Sequence, residues 1–214
     1  ETNEARKIRK KEKISLKEDM VQTLLPRAFT KFTRIHAYID TKHQWLILNN
    51  VSPAKTELFL SMIKKVLGDG IESLEVVKPS VIFTQWLKQK NYPEVFSVEP
   101  AAILQDPEHQ HRVIRCQQQD LFASSIQDLL KDGCEVIQLS LNWHDRLQFT
   151  LAQDFSLRSV RLAEDDTANL YDEIETKQQK FDADLVMMAE LLRGLFADLF
   201  KIFVKQDDAL PKAS

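Results

Sequence analysis

Residues 135–162 read EVIQLSLNWHDRLQFTLAQDFSLRSVRL and contain the most regular pattern in the chain. Apolar residues alternate with polar ones in three parts of this segment: Glu135–Leu141, Arg146–Ala152 and Leu157–Leu162. Alternation with a period of two residues is typical of strands that bury one face. Short polar segments separate the three parts and are suited to tight turns. The sequence therefore predicts a three-stranded antiparallel meander.

Helical patterns lie on both sides of the meander. Phe181–Lys205 repeats apolar residues every three or four positions, which predicts one long helix that is buried or packs on a partner. Upstream of the meander, further helices are predicted over residues 1–24, Pro53–Leu67, Val81–Lys90 and Ser124–Lys131. Helices therefore flank the predicted strands at both ends of the chain.

The remaining segments predict shorter strands. Arg34–Asp40 and Trp45–Asn49 lie on either side of a plausible turn and predict a hairpin. Single strands are predicted at Ser73–Val77, Phe96–Val98 and Arg112–Gln118. Ala101–Gln105 is predicted as a helical turn within a poorly ordered linker, residues 91–111, which contains three prolines. Because strands and helices are mixed without strict alternation, the fold class is predicted to be α+β.

The chain is predicted to have three parts. These are an N-terminal helix and corner over residues 1–30, an α+β domain over 31–100, and the meander with the long C-terminal helix over 101–214. The formal net charge of the 214 residues is −3, which by itself argues against a nucleic-acid-binding protein. Basic residues are concentrated in 6–17, however, and acidic clusters fall within 164–184. Such a chain can be acidic overall and basic on one face.

Composition disfavours several classes of protein. The chain has only 4 glycines, and their positions match no phosphate-binding loop. Its 2 cysteines, Cys116 and Cys134, indicate a reducing compartment and no disulfide framework. Because there is neither a membrane-spanning apolar run nor a signal-peptide pattern, we expect a cytoplasmic location and no membrane partner. The first residue is Glu1 and not Met, as expected for a fragment of a longer protein.

Two pairs of residues suggest chemistry, but each has a simpler explanation. His109 and His111 have the spacing to share a metal on a strand, yet no second ligand pair follows. Exposed loop histidines are the commoner case. Cys116 and His144 are a possible nucleophile–base pair, although nothing in the sequence brings them together. We therefore predict no metal site and no cofactor.

Two other segments suggest binding. Gln117–Gln119 places three amides next to Arg115, and amides hydrogen-bond phosphates and base edges without strong sequence choice. Phe29 follows a helix end and lies between Arg27 and Lys31. An aromatic residue at such a corner either belongs to the core or anchors a protein–protein contact.

Several segments together resemble one protein family, in the order in which that family carries them. They are Ser15–Glu18 with Leu24–Phe29, Gln119–Leu121, Leu141–Trp143 with Arg146–Phe149, and Phe181–Asp184. Each is ordinary alone, but together they span nearly the whole chain. On these residues the chain resembles the recombination-associated RdgC family of proteobacteria, without the N-terminal portion of that family.

The resemblance implies both a shape and a function. It implies a horseshoe-like subunit of a ring-shaped homodimer with a positively lined hole wide enough for duplex DNA. Members of the family bind DNA with little sequence preference and restrain RecA by competing for DNA. No enzymatic activity is attributed to them. The resemblance thus implies DNA and a second copy as partners, and an association with the nucleoid.

The resemblance also implies roles for individual residues. The family's gate-interface phenylalanine falls on Phe29. Its Lys-Gln DNA-contact pair falls on Gln118 and Gln119, so one phosphate-binding charge is missing at Gln118. Five cations are candidates to compensate for that charge: Arg115, Arg27, Lys31, Lys64 and Lys65.

Two other functions are compatible with the sequence. The long apolar C-terminal helix and the acidic clusters fit a protein-interaction module without direct DNA binding. Asp165 and Asp166 are candidate ligands for a divalent ion in a metal-dependent nuclease. Carboxylates at the start of a helix are a commoner reason for such a pair, because they favour that end of the helix dipole.

Overall fold

The computed structural model describes residues 10–30, 32–50, 52–68, 70–109, 111–163 and 176–204. Within these residues the helices are α1 (Lys10–Leu24), α2 (Pro53–Leu67), α3 (Pro79–Gln89), α4 (Ser124–Lys131) and α5 (Lys177–Phe203). A short 3₁₀ turn, Leu25–Arg27, follows α1 directly. None of the described helices is long and apolar enough to cross a membrane.

Local sequence explains where several helices begin and end. Pro53 and Pro79 open α2 and α3, at positions where a helix needs no backbone N–H. Gly68 follows α2 with a φ of 75°, a conformation that glycine adopts without steric cost. At the start of α5 the hydroxyl of Thr176 accepts a hydrogen bond from the Gln179 N–H. The Gln179 side chain in turn accepts one from the Thr176 N–H, which completes a capping box.

The described strands form two antiparallel sheets. The first is the predicted hairpin of β1 (Ala37–Asp40) and β2 (Trp45–Leu48). The second contains β3 (Phe96–Gln105), β4 (Val113–Gln117), β5 (Glu135–Trp143), β6 (Leu147–Ala152) and β7 (Leu157–Leu162). Their order across the sheet is β4-β3-β5-β6-β7. The predicted α+β class and the predicted meander, β5-β6-β7, are confirmed.

The main core lies against one face of the five-stranded sheet, which we call the inner face. Alternate residues of β5 and β6 point into it, and Leu139, Leu141 and Leu147 are fully buried. Helices α3, α4 and α5 cover this face, and α5 contributes buried Leu195 and Leu199 from its C-terminal half. Each such aliphatic side chain stabilises the fold by about 1.5–3 kcal/mol. The opposite face of the sheet is called the outer face below.

The predictions for Ala101–Gln105 and for the surrounding linker are wrong where they overlap β3. This strand pairs with both β4 and β5 and therefore lies inside the sheet. Its alternation is hidden in the sequence because the register with β5 shifts between Val98 and Ala102. Pro100 lies in the shifted part, where a residue without an N–H is tolerated.

Two smaller predictions also need correction. The strand predicted at Ser73–Val77 is reduced to a single bridge between Val76 and Val204. The long C-terminal helix begins at Lys177, earlier than the apolar repeat alone suggests, because Thr176 provides its cap. The first predicted helix is described from Lys10 onward, and its earlier residues lie outside the described part of the chain.

The elements before residue 70 contribute few contacts to the main core. Neither α1 nor α2 has a buried residue. The hairpin, in contrast, contacts α5, because the Trp45 ring packs edge-on against Phe196 and Phe200 with centroid distances of 5.6 and 5.1 Å. Asp40 also accepts a hydrogen bond from Arg193 of α5. The hairpin is therefore attached to the C-terminal half of α5.

Candidate nucleic-acid interface

The first group of predicted binding residues lies on β4, at one edge of the five-stranded sheet. Ile114 and Cys116 turn towards the core, so the residues that alternate with them, Arg115 and Gln117, belong to the outer face and are exposed. Arg115 pairs across the ladder with Ile103 of β3. The strand therefore presents a guanidinium and an amide to solvent on one face.

The turn after β4 carries the other two amides. Gln118 has a φ of 52°, which ends the strand and redirects the chain. The backbone N–H of Gln119 donates to the carbonyl oxygen of Pro100 at 3.2 Å, and this bond ties the turn to β3. Both glutamine side chains are exposed. Arg115, Gln118 and Gln119 thus form one local group along a strand and its turn.

The second group surrounds the corner after α1. The Ala28 N–H donates to the Leu25 carbonyl oxygen and closes the 3₁₀ turn, and Arg27 and Phe29 are both exposed there. The Phe29 side chain is 104% exposed, so nothing in the described chain covers it. Lys31, the remaining predicted cation of this group, lies outside the described residues.

The third group is the last turn of α2, where Lys64 and Lys65 are exposed. Cations are favourable at this end of a helix because the helix dipole is negative there. No hydrogen bond or ion pair among the described residues joins this group to the corner or to β4. The three groups are therefore local clusters that the structure does not connect through polar contacts.

The four described cations of these groups share an electrostatic property. Arg27, Lys64, Lys65 and Arg115 form no ion pair with any residue that the structure describes. Some other cations are neutralised by carboxylates, namely Lys78 by Glu135, Lys131 by Asp128 and Arg193 by Asp40, whereas exposed Lys88 is also unpaired among the described residues. An unpaired surface cation can exchange its counterions for phosphate without first breaking an internal bond.

The structure places Cys116 and His144 in different parts of the sheet. Cys116 lies level with Leu139 across β3, whereas His144 lies in the turn beyond the far end of β5, beside Asp198. Burial raises the pKa of the Cys116 thiol, which makes it a poorer nucleophile. The two side chains therefore form no nucleophile–base pair, and the simpler explanation, a buried thiol and a turn histidine, agrees with the structure.

The histidine pair lies in a loop and not on a strand. His109 Nδ1 lies 3.1 Å from Asp106 Oδ2. Burial alone would raise the pKa of Asp106, but the backbone N–H groups of His109 and Glu108 donate to this carboxylate and hold its pKa below the usual value. No group of three metal-ligating side chains exists among the described residues. Asp165 and Asp166 lie outside those residues.

A comparison with protein families matches the chain over nearly its whole length. The family model described as "Putative exonuclease, RdgC" matches residues 1–206. The chain belongs to the RdgC family.

Individual RdgC relatives agree with this assignment. The "Recombination-associated protein RdgC" of Pasteurella multocida (strain Pm70) is 37% identical over 212 residues, covering 95% of this chain and 68% of the relative. The protein of the same name from Proteus mirabilis (strain HI4320) is 35% identical over 208 residues, covering 94% and 68%. That of Yersinia pestis (strain Pestoides F) is 32% identical over 205 residues, covering 94% and 67%.

Membership of the RdgC family confirms the resemblance seen in the sequence. The names within the family point in two directions, since the family model is described as an exonuclease and the relatives as recombination-associated. The binding roles of Phe29, Gln118, Gln119 and the nearby cations remain predictions.

Two arginines on β7, the strand at the edge of the sheet opposite β4, were not identified from the sequence. Arg158 and Arg161 lie on β7, three positions apart. In a regular strand such residues point to opposite faces, so alternation alone separates them. The register of β6 with β7 places both on the outer face, because Arg161 pairs with Gln148 and Arg158 pairs with Thr150. The sequence contains no signal for this arrangement, because it depends on a bulge.

Proposed function

We propose that this chain is a sequence-independent DNA-binding protein that acts as a homodimer in recombination and restrains RecA by occupying DNA. The observation that carries the proposal is the set of four exposed cations without a carboxylate partner in the described chain: Arg27, Lys64, Lys65 and Arg115. Membership of a family whose relatives are named recombination-associated gives the biological setting.

The proposed mechanism is electrostatic. Each lysine or arginine that contacts a phosphate releases condensed counterions from the DNA, and this release drives binding. The amides of Gln118 and Gln119 can hydrogen-bond to phosphate oxygens and fix the orientation of the backbone without reading bases. Since the chain has a formal net charge of −3, attraction must come from local groups and not from the molecule as a whole.

The proposal includes a dimer that encloses the DNA. Phe29 projects fully into solvent from the corner after α1, as an interface side chain must do in an isolated subunit. Two copies joined at this corner would complete the family's ring, and an enclosed duplex would be retained without base-specific contacts. Association with the nucleoid would follow from such retention.

A salt titration tests DNA binding. We expect the full chain to bind a duplex oligonucleotide in dilute buffer, and the affinity to fall steeply as salt increases. Arg115→Gln should reduce the slope of log K against log salt by about 0.9, the value for one lost phosphate contact. Lys88→Gln is the matched control, because Lys88 is an exposed cation on α3, the helix that packs on the inner face.

The same titration has outcomes that contradict the proposal. If the chain does not bind duplex in dilute buffer, the protein-interaction module becomes the better function. RecA competition is read on the same oligonucleotide, where increasing amounts of the chain should displace RecA. Displacement that Arg115→Gln leaves unchanged would mean that Arg115 does not contribute to DNA occupancy.

The family description favours a second candidate, an exonuclease. It is tested by incubating an end-labelled duplex with the chain and Mg²⁺. The DNA-binding proposal expects the label to stay on full-length DNA at protein concentrations that shift the whole duplex. Progressive shortening that disappears on replacing Asp165 and Asp166 with asparagine would establish the nuclease instead.

A further inference from the structure

The outer face of the five-stranded sheet is not part of the main core. Leu147, Phe149 and Leu151 of β6 are buried on the inner face, so Gln148 and Thr150 between them point outward. The helices that contribute to the core, α3, α4 and α5, do so with the inward residues of the sheet. On the outer face, Gln148 of β6 and Arg161 of β7 are exposed to solvent.

A bulge brings two arginines onto this face. Gln148 pairs with Arg161 and Thr150 pairs with Arg158, so Phe149 lies opposite two residues, Ser159 and Val160. Ser159 has a φ of 51°, consistent with the extra residue that a bulge inserts. Residues directly opposite each other project to the same side of a sheet. Arg158 and Arg161 therefore share the outer face with Gln148 and Thr150.

The two arginines are linked to the centre of the sheet by two polar rows. One row runs from Arg161 through Gln148 to Asn142, and the other runs from Arg158 through Thr150 to Ser140. The Ser140 and Thr150 hydroxyls lie 2.8 Å apart, so the second row is connected by a hydrogen bond. Neither row contains a carboxylate.

The charge of Arg161 is available to a ligand. Arg161 is exposed and has no polar partner among the described residues. Arg158 is partly engaged, since it donates to Asp154 at 3.2 Å and to the Ser156 hydroxyl at 3.1 Å. The other carboxylate close to the rows, Asp145, accepts a hydrogen bond from Asn142. Of these two arginines, Arg161 is therefore the one that no carboxylate neutralises within the described part of the chain.

The spacing of the arginines suits a phosphodiester backbone. Their partners, Gln148 and Thr150, are two residues apart on β6, which separates the two arginines by about 6.8 Å along the strand. Successive phosphates of one DNA strand are about 3.4 Å apart along the helix axis, so both guanidiniums can reach phosphates of the same strand. Arg115 lies at the opposite edge, across four strand spacings of about 4.8 Å each.

We propose that Arg161 and Arg158 form a second phosphate-contact site on the outer face, which extends the DNA surface from the β4 edge to the β7 edge. This inference rests on the proposed DNA-binding function and adds a site to it. The register, and not the sequence spacing, identifies the site, because the bulge at Ser159 turns the two arginines to the same side. Gln148 and Thr150 supply neutral donors between the guanidiniums and the sheet centre.

The test compares charge-neutral variants on and off the outer face. Arg161→Gln should reduce the salt slope of duplex binding by about 0.9. Adding Arg158→Gln should reduce it further but by less, because Asp154 already pairs with Arg158. Arg161→Lys should restore most of the slope because it keeps the charge. Lys88→Gln removes the same charge elsewhere and should leave the slope unchanged. Circular dichroism melting verifies that each variant is folded, and Arg161→Gln breaks no side-chain polar contact with any residue that the structure describes.

The outcomes separate failure of this site from failure of the proposed function. If the unmodified chain does not bind duplex in dilute buffer, the proposed function and the site fail together. If it binds and Arg115→Gln lowers the slope, while Arg161→Gln behaves like Lys88→Gln, DNA binding stands and the outer-face site is overturned. In that case the polar rows are simply the solvated face of an antiparallel sheet.

Discussion

The side chain of Asp40 is buried, with 1% exposure, and its carboxylate accepts hydrogen bonds from its own hairpin and from α5. The N–H groups of Lys42 and His43 donate to Oδ1 at 3.0 and 3.2 Å. Arg193 Nε donates to Oδ2 at 2.6 Å, and Arg193 Nη2 donates to the Tyr38 hydroxyl at 3.1 Å. The Arg193 hydrogen bond lowers the pKa of Asp40 far below its usual value and outweighs burial, which acts in the opposite direction.

This lowered pKa predicts a specific dependence of stability on pH. The pKa of an aspartate in an unfolded chain is about 3.9. Below that pH the unfolded chain binds a proton at Asp40, whereas the folded chain keeps Asp40 ionised. The stabilisation is complete above that value and is lost as the pH falls below it. Asp40→Asn should therefore lower the melting temperature at pH 7, and the loss of stability below about pH 4 should be smaller than in the unmodified chain.

Thermal melting at pH 7, 5 and 3 measures this effect. Asp132→Asn is a suitable control, because Asp132 is exposed and forms no ion pair in the described chain. If the melting temperature of Asp40→Asn falls between pH 7 and pH 3 as much as that of the unmodified chain, the acid sensitivity does not come from Asp40. The pair itself was not predictable, because Asp40 and Arg193 are 153 positions apart. Sequence patterns predict the hairpin and the helix, but not which side chains meet between them.

At the scale of elements, the packing of α5 on β5 depends on a glycine. A Cβ atom at Gly194 would lie 2.7 Å from Trp143 Cη2 and 3.0 Å from Cζ2. The indole has little freedom to move, since Trp143 is 6% exposed and its Nε1 donates to Asp198 Oδ2 at 3.0 Å. The glycine thus allows the helix to approach the tryptophan ring closely.

Gly194→Ala should destabilise the fold. Overpacking in a core costs about 1–3 kcal/mol, and the higher helix propensity of alanine offsets about 1 kcal/mol of that cost. We expect a net loss of about 1–2 kcal/mol in the free energy of unfolding, measured by urea denaturation. Gly70→Ala is the control, because no atom lies within 4 Å of the added Cβ. A gain in stability for Gly194→Ala would show that the ring moves away easily.

Elements were predictable where one pattern runs without interruption. The repeat of Leu195 and Leu199 predicts α5, and the alternation of Leu147, Phe149 and Leu151 predicts β6. Prediction failed at β3, because a register shift breaks the alternation beside Pro100. The same kind of irregularity hides the two arginines of β7. Bulges are set by the pairing of two strands, so a reading of one strand at a time misses them.

At the scale of the whole molecule, the N-terminal elements leave apolar side chains uncovered. Leu25 is 68% exposed, Phe29 104% and Phe32 89%, and α1 adds Leu24 at 56%. Scattered apolar residues are normal on a surface, but contiguous exposure of this kind marks an interaction site. The dimer proposal gives these side chains a partner of the same kind, a second copy of the chain.

Phe29→Ser should weaken the dimer without affecting the fold of the subunit. Burial of one phenylalanine contributes about 1.5–3 kcal/mol, so its loss should raise the dimer dissociation constant about tenfold or more. A symmetric interface loses the contact twice, which increases the effect. If the dimer encloses DNA as proposed, DNA retention should weaken in parallel. Sedimentation and gel shift measure the two quantities on the same preparations.

The exposure of Phe29 makes this experiment selective. Since nothing in the described chain covers the ring, its removal leaves no cavity, and the circular dichroism spectrum should stay unchanged. Phe181→Ser is the matched control, because Phe181 is 64% exposed on α5 and lies far along the chain from the corner. If both variants sediment and bind DNA like the unmodified chain, Phe29 is not an interface residue. Loss of assembly in the Phe29 variant alone would identify the corner as the contact between subunits.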